Sequence, residues 1–359
     1  MAPLASAPAM LTRVADRLTD WRFHCWYWGD AIAIDGLLEA DSLGAGKYRN
    51  AVLETLSRWN THCLPNFDDV LAPGAAIIQL VVDGDLPASA AERLLSRLEG
   101  LPIVYGEVPA LEPHRLAFRF GVCIDAVYHL PAAYARAAQW RDDPYLARKA
   151  IAIAVDTMTV LRCDSGWAQW FDPTRKRNNG VAWTRGLGWA LLGLLDLVQI
   201  VGEDVAGEAL DLAVEVLELL AATQTPDGNW AEVLDHAPAG IETSTAAFYV
   251  AAALHPAASG VVSLPPDAFE RATEACVRAV DADGTYTGVT TDVLPSWDIT
   301  TYENCPTEPS PWAQGAAVRA FAALARAGLH PSVSGHPGVA ENTRMPVRPL
   351  PASDSLNVK

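Results

Sequence analysis

Apolar residues recur at three- and four-residue spacing through most of the chain, and the strict alternation that marks strands is nearly absent. The pattern predicts twelve helices, near residues 10–20, 27–40, 48–59, 69–82, 87–98, 121–138, 144–161, 182–201, 205–222, 242–254, 267–281 and 310–327. Some are amphipathic: over 206–223, carboxylates punctuate a face of Ala, Leu and Val. Others, such as 187–201, are apolar nearly all round and belong in an interior. Alternation of buried and half-exposed helices is what a two-layer helical barrel or a solenoid produces.

A weak internal repeat points the same way. Asp164 with Gly166 and Trp167, Asp227 with Gly228 and Trp230, and Asp283 with Gly284 and Tyr286 each join an acidic-glycine turn to an aromatic. Glycine supplies the positive φ such a turn needs, and the aromatic can either pack or face a cleft. Each interval accommodates one helical hairpin and its loops, so the repeat implies stacked hairpins. Past about Leu329 the chain becomes rich in Pro, Ser, Gly and Val without periodicity. The expected organisation is one helical domain over residues 1–335 and a Pro/Ser-rich tail over 336–359.

Composition narrows the function. The 359 residues are 50% hydrophobic and 19% charged, with a net charge of −17 and a pI near 4.8. That balance argues against nucleic acid or an anionic membrane as the main partner, and any anionic ligand would need a local cluster of donors. Cysteines at 25, 63, 123, 163, 276 and 305 form no CxxC pair, so reduced thiols are expected, with neither a zinc site nor a disulfide framework. The N-terminus shows no basic region followed by an apolar run, and the longest stretch free of Asp, Glu, Lys and Arg, 243–266, is broken by Pro256, Gly260 and Pro265. A soluble, cytoplasmic protein, monomer or homodimer, is the expectation.

The common catalytic motifs fail. Gly44, Gly46 and Lys47 lack the spacing and the following Ser or Thr of a phosphate loop, and HExxH, GxSxG and EF-hand patterns do not occur. No metal and no cofactor is therefore called for. What stands out is twelve tryptophans, many at expected loop-to-helix junctions: Trp26, Trp28, Trp167, Trp170, Trp183, Trp189, Trp230 and Trp312. Core packing is the ordinary reading of any one of them. Several at one end of a helical barrel suggest a cleft that stacks sugar rings.

Asp125 stands near the start of an otherwise apolar helix, where burial would raise its pKa and keep it protonated, as a general acid requires. Its bland alternative is a helix-capping carboxylate, and Asp68 and Asp69, ahead of Pro73 and Gly74, could be the same. Between Trp183 and Trp189, Gly186 and Gly188 let the backbone come close while Arg185 projects between the two indoles, and its planar fork suits a carboxylate ligand; a structural stack on tryptophan is the alternative.

With these residues in view, the sequence resembles the unsaturated glycuronyl hydrolases of glycoside hydrolase families 105 and 88, and is most similar to the unsaturated rhamnogalacturonyl hydrolases of family 105. The likeness runs from about Trp26 to Leu324. It rests on ordered blocks: Trp26 to Asp30; Asp68 to Gly74; the Asp125 helix; Trp183 to Trp189; Gly228 to Trp230 with Glu242 to Ser244; and Trp312 to Gly315. The resemblance implies an (α/α)6 barrel, an all-α six-hairpin toroid. It implies Asp125 as proton donor and acceptor, Asp68 or Asp69 as the second active-site carboxylate, and Trp28, His114, Gln169, Trp183, Arg185 and Trp189 as substrate contacts. The substrate class would be a small oligosaccharide or glycoside ending in a 4,5-unsaturated uronic acid, cleaved by hydration of the C4=C5 enol ether and collapse of the hemiketal. Leu187, Cys123 and Gln169 depart from the residues usual in the family at those places, which bears on the pocket more than on the chemistry. The rival readings are another helical-toroid carbohydrate enzyme, an epimerase or a conventional inverting glycosidase, and a non-catalytic sugar-binding repeat protein.

Overall fold

The computed structural model describes residues 6–24, 27–44, 46–62, 73–109, 121–234, 236–261 and 265–329. Each of the twelve expected helices is present: α1 (Ala7–Thr19), α2 (Trp28–Ser42), α3 (Lys47–His62), α4 (Gly74–Val82), α5 (Ala88–Glu99), α6 (Ala126–Arg141), α7 (Pro144–Leu161), α8 (Thr184–Val201), α9 (Glu203–Thr223), α10 (Ser244–Ala253) and α11 (Pro266–Arg278), then a one-turn α12 (Thr300–Glu303) and α13 (Pro311–Arg326). Six of them, α2, α4, α6, α8, α10 and α13, touch in that order and close on themselves, because α13 returns to α2. The other six, α1, α3, α5, α7, α9 and α11, pack outside that ring, α3 to α11 against the inner helices next to them in sequence and α1 chiefly against α13. The result is the two-layer, six-hairpin α/α toroid.

The sequence explains which helices go inside. Over Thr184–Val201 nearly every residue is buried, as are all but one of Ser244–Ala253, while outer helices such as Pro266–Arg278 bury a single stripe. Helix α8 is long and apolar enough to cross a membrane by composition, but it sits in the middle of the inner ring. Small residues let inner helices approach closely: a Cβ on Gly315 would lie 2.6 Å from the Ala33 backbone nitrogen of α2. Even alanine there would push α13 off α2.

The two ends of the barrel differ. Connections leaving the C-termini of inner helices are mostly short, a single residue between α8 and α9 and two between α6 and α7. Connections entering their N-termini are long, as at 162–183, 224–243 and 279–310. These long segments carry two- and three-residue strands that hydrophobic periodicity did not reveal: Val122–Cys123 pairs with Trp170–Asp172, which pairs with Arg177–Asn178, and Trp230–Ala231 pairs with Ile241–Glu242. The first of these pairings is why α6 begins at Ala126 rather than near 121. The acidic-glycine repeat belongs to the same end, with φ of +122°, +86° and +90° at Gly166, Gly228 and Gly284. Its aromatics Trp167, Trp230 and Tyr286 are fully buried, so they pack rather than line a cleft.

The opposite end is fastened by a buried ionic cluster. Arg319 of α13 makes a bidentate pair with Asp196 of α8 at 2.9 and 2.8 Å and reaches Glu39 of α2 at 2.7 Å. Tyr128 of α6 donates to Asp35 of α2 at 2.6 Å, and His255, just after α10, meets Asp196 at 3.1 Å. Opposite charge holds Asp196 far below the usual carboxylate range despite its burial, while burial pushes Asp35 up to about 6. Residues 330–335 of the expected domain and the tail 336–359 lie outside the described residues.

Candidate active site

The site is built where the long connections meet the N-termini of the inner helices. Asp125 occupies the cap position of α6, yet its side chain makes no capping hydrogen bond. Its Oδ1 is buried with no hydrogen-bond partner, so the capping alternative does not hold. Ile124 N donates to Gln169 O at 2.9 Å, which fixes the turn that presents Asp125. Burial pushes the Asp125 carboxyl up to about 7; Arg185 pulls it down, Asp292 pushes it further up, and the Cys123 thiol lowers it by a hydrogen bond. A carboxyl half protonated near neutrality can both give and take a proton.

Arg185, near the start of α8, is entirely buried. Its Nη1 reaches Glu242 Oε2 at 3.1 Å, Thr290 Oγ1 at 2.9 Å and the Thr290 carbonyl, and Nη2 donates to Thr291 O at 2.7 Å. Its guanidinium also lies 4.7 Å from the centroid of Trp183 and 5.6 Å from that of Trp312. This corrects the expectation of an open fork for a ligand carboxylate: the fork is occupied by protein acceptors, and only Nε is without a hydrogen bond. Arg185 acts on the site as a fixed positive charge beside Asp125.

Behind Arg185 lies a pair of buried glutamates to which sequence reasoning assigned no role, although Glu242 opens one of the blocks that carry the resemblance. Glu242 accepts from Ser244 N at 2.8 Å, from Thr290 N at 2.9 Å, from the Ser244 and Thr290 hydroxyls and from Arg185. Among the described residues, Glu232 has only Trp183 Nε1 at 2.7 Å and Thr290 Oγ1 at 2.8 Å. The Thr290 hydroxyl has one hydrogen and touches both carboxylates. Glu242, with its arginine and its backbone and hydroxyl donors, is the ionised partner. Thr290 therefore donates to Glu242 and accepts from a protonated Glu232. Burial and the neighbouring Glu242 push the Glu232 carboxyl upward, in keeping with that hydrogen count.

The aromatic residues gather at the same mouth. Trp28 stacks on Trp312 with centroids 4.7 Å apart and meets Trp189 edge-on at 6.0 Å. Trp189 is fully buried among Tyr128, His129 and Phe248. Trp183 is buried between Arg185 and Glu232. Both were expected to be sugar platforms; the structure makes them the packed floor beneath the mouth. Gln169, also expected to contact substrate, is buried with Nε2 donating to Val293 O at 2.9 Å and Oε1 accepting from the Tyr302 hydroxyl. Its amide ties the 279–310 connection to the loop in which Gln169 O holds Ile124 N, the residue before Asp125. Asp68, Asp69 and His114 lie outside the described residues. Asp292, absent from the sequence reading, is brought into electrostatic reach of Asp125. Among the described residues no cluster of His, Cys, Asp and Glu could hold a metal ion, and Cys123, Cys163, Cys276 and Cys305 form no disulfide.

Comparison with known proteins accords with this architecture. Residues 166–327, a little under half of the chain, match the family model of Glycosyl Hydrolase Family 88. The resemblance read from the sequence is borne out over that segment, and the match carries the enzyme class, a glycoside hydrolase. It includes the Trp183 to Trp189 run, Glu232, Glu242 and Trp312 but not Asp125, whose place rests on the geometry above. No curated protein sequence matches the chain. Among solved structures, a possible member of family GH105 from Salmonella enterica superimposes with a TM-score of 0.82 at 14% identity, covering 90% of this chain and 94% of that one. A possible GH105 member from Klebsiella pneumoniae gives 0.80 at 16% identity, with 90% and 93% covered. The unsaturated glucuronyl hydrolase responsible for the degradation of glycosaminoglycan from Bacillus sp. GL1 gives 0.67 at 17% identity, with 91% and 97% covered. At these identities the superpositions establish the six-hairpin toroid.

Proposed function

We propose that this glycoside hydrolase removes a terminal 4,5-unsaturated uronic acid from a short oligosaccharide or glycoside, the kind of chain end that a polysaccharide lyase leaves. The observation that carries the reading is Asp125: a carboxyl at the barrel mouth, uncapped, raised to about 7 by burial, with a fixed cation beside it. Hydration of an enol ether asks one group to deliver a proton and then accept one, and a carboxyl poised near neutrality does both. The protein from Bacillus sp. GL1 is named an unsaturated glucuronyl hydrolase, which favours the same substrate class for a chain of this fold.

The steps balance without a further reactant. Protonated Asp125 gives its proton to C4, and the C4=C5 pair leaves positive charge shared between C5 and the ring oxygen. The Asp125 carboxylate takes a proton from water as the hydroxide adds to C5, so the aspartic acid is regenerated. The hemiketal opens by breaking the bond from C5 to the ring oxygen, which leaves a ketone at C5 and a hemiacetal at C1. That hemiacetal expels the aglycone as an alcohol. The distance rule for paired carboxylates in ordinary glycosidases has no bearing on such a reaction. Arg185 answers charge in the pocket from below, without clamping a carboxylate by its own fork.

Loss of enol-ether absorbance should be followed against a panel of lyase-generated unsaturated disaccharides, with turnover repeated in deuterium oxide. One solvent deuteron at C4 of the ketone is expected. Cleavage with no label at C4, or cleavage of saturated substrates only, would remove hydration and leave a conventional glycosidase.

A further inference from the structure

The mouth must admit an anionic sugar against a net charge of −17, and the fork of Arg185 is already taken by Glu242, Thr290 and Thr291. Favourable charge for an incoming anion therefore has to stand elsewhere on the rim. Arg175, Lys176 and Arg177 supply it, at the one place in the sequence where three basic residues follow one another. They form the tip and the returning strand of the hairpin between Trp170–Asp172 and Arg177–Asn178. Asp172 closes the tip by accepting from Thr174 N at 2.8 Å and Arg175 N at 3.2 Å, and it pairs with the Arg175 side chain at 3.4 Å. Among the described residues no carboxylate is in ion-pair contact with Lys176 or Arg177.

Strand register puts this hairpin on the side of the proposed acid. Cys123 stands opposite Trp170, and Asp172 opposite Arg177; in an antiparallel pair, opposed residues project from the same face. Trp170 and Asp172 are two positions apart, so Cys123, Trp170, Asp172 and Arg177 share one face of the sheet. Cys123 hydrogen-bonds the Asp125 carboxyl. The other face carries Phe171, which meets Tyr105 at 5.9 Å, and Asn178, which donates to Val160 O of α7 at 3.3 Å. Two strand spacings, about 10 Å, separate the Val122–Cys123 strand from Arg177, within the reach of a short oligosaccharide. Trp297 gathers the cations: its centroid lies 4.9 Å from the Arg175 guanidinium and 4.5 Å from that of Arg177, and it meets Trp170 edge-on at 5.8 Å. Its neighbour Ser296 is pinned, its O accepting from Asn179 Nδ2 at 2.9 Å and its N donating to the Tyr302 hydroxyl at 3.2 Å. The adjoining Asp298 caps α12 by accepting from Thr300 N at 3.0 Å. Two guanidiniums held on one indole repel each other, and an anion that meets both relieves the repulsion.

We propose that Arg175, Lys176 and Arg177, gathered on Trp297, form a rim subsite for a carboxylate or sulfate on the sugar beyond the scissile bond. Charged oligosaccharides are thereby selected over those with a neutral aglycone. The inference rests on the reading of the substrate as an unsaturated uronide.

The test measures by calorimetry the affinity of Asp125→Asn, which should hold substrate without turning it over, for two matched pairs of probes. One pair is an unsaturated glucuronyl-N-acetylgalactosamine with and without a sulfate on the amino sugar. The other is an unsaturated digalacturonic acid with its aglycone carboxyl free or methyl-esterified. The charged member of at least one pair should bind more tightly, and the pair that responds separates sulfate from carboxylate. Adding Arg175→Gln and Arg177→Gln should weaken that member by roughly three- to thirtyfold and narrow its advantage. Salt gives an independent sign: screening a basic subsite weakens the charged probe, whereas screening the overall negative charge alone strengthens it. A charged probe that binds no better than its neutral twin, or that binds better as salt rises, would overturn the proposal. The salt series needs no arginine variant, so it decides the matter even if the double substitution folds poorly. Wild type inactive on every unsaturated uronide would refute the substrate reading, while a charge preference lost with the arginines would still establish the subsite.

Discussion

Glu232→Gln and Glu242→Gln are chemically the same substitution, and the hydrogen count around Thr290 predicts opposite outcomes for them. Glutamine at 232 keeps an oxygen to accept from Trp183 Nε1 and an N–H to donate to Thr290 Oγ1, which is what a protonated carboxyl supplies at 2.7 and 2.8 Å. Its cost should stay within about 1 kcal/mol. Glutamine at 242 removes the only formal countercharge in contact with Arg185 among the described residues, at 3.1 Å with both side chains wholly buried. Breaking a buried pair from one side costs about 3–5 kcal/mol, because the other charge is left without compensation. For a chain of this size, roughly 2 °C of Tm per kcal/mol translates that into a loss of about 6–10 °C. Thermal unfolding followed by circular dichroism separates the two. The pH dependence adds a second check. A carboxyl raised in the folded state contributes stability that is complete below its unfolded pKa and is lost as pH rises through the folded value. Burial and Glu242 raise Glu232 in this way, so wild type should lose stability as pH rises from the ordinary glutamate range to about 8, and Glu232→Gln should lose less. Equal Tm losses for the two variants would refute the assignment of the proton to Glu232.

Three further variants test the site and its opposite pole. Asp125→Asn should lower kcat by about 10²–10⁴-fold with a much smaller change in KM. The same variant should raise Tm at pH 7.5 by a few degrees and not at pH 4, since the Asp125 carboxyl is raised to about 7 and its ionisation burdens the folded state only above its unfolded pKa; calorimetry at the two pH values checks the sign. Arg185→Lys should lower both Tm and kcat, because one ammonium cannot reach Glu242 and the carbonyls of Thr290 and Thr291 together; a variant changed in KM alone would reinstate the ligand clamp. Arg319→Met, at the far end, should cost about 1.5–3 kcal/mol by leaving Asp196 with His255 alone and Glu39 with the distant Arg326, while the alkaline limb of the kcat profile stays in place.

The helices were legible because each inner helix is apolar on nearly every side and each outer one on a single stripe, as Thr184–Val201 and Pro266–Arg278 illustrate. Asp125 was legible for a related reason: a lone carboxylate against a run of apolar residues announces its own desolvation. Arg185 was found but misread. Two glycines and two tryptophans around it advertise an unusual arginine, but its partners Glu242 and Thr290 stand 57 and 105 residues later in the chain. Nothing local shows that the fork is already occupied. The tryptophans were misread in the same sense, since position at a helix start does not tell whether an indole faces the mouth or the floor. Asp292 carries no signal at all, being one carboxylate in a connection without periodicity.

The contrast between the ends of the barrel gives the strongest structural reason for placing chemistry at one of them. At the far end every nitrogen of Arg319 is bonded to Glu39, Asp196 or Tyr128, and His255 and Tyr128 complete the carboxylates they meet. Such a saturated network fastens helices and has no capacity left for a reaction. At the N-terminal mouth, Asp125 Oδ1 and the indole nitrogens of Trp189 and Trp312 are buried and have no protein partner. Leaving a buried donor or acceptor unpaired costs about 1–3 kcal/mol, and a fold that fully satisfies the charges at its opposite pole bears that cost here. Stability at one end and unmet hydrogen-bonding capacity at the other is the division expected of an enzyme whose site is assembled on the loops of a rigid helical ring.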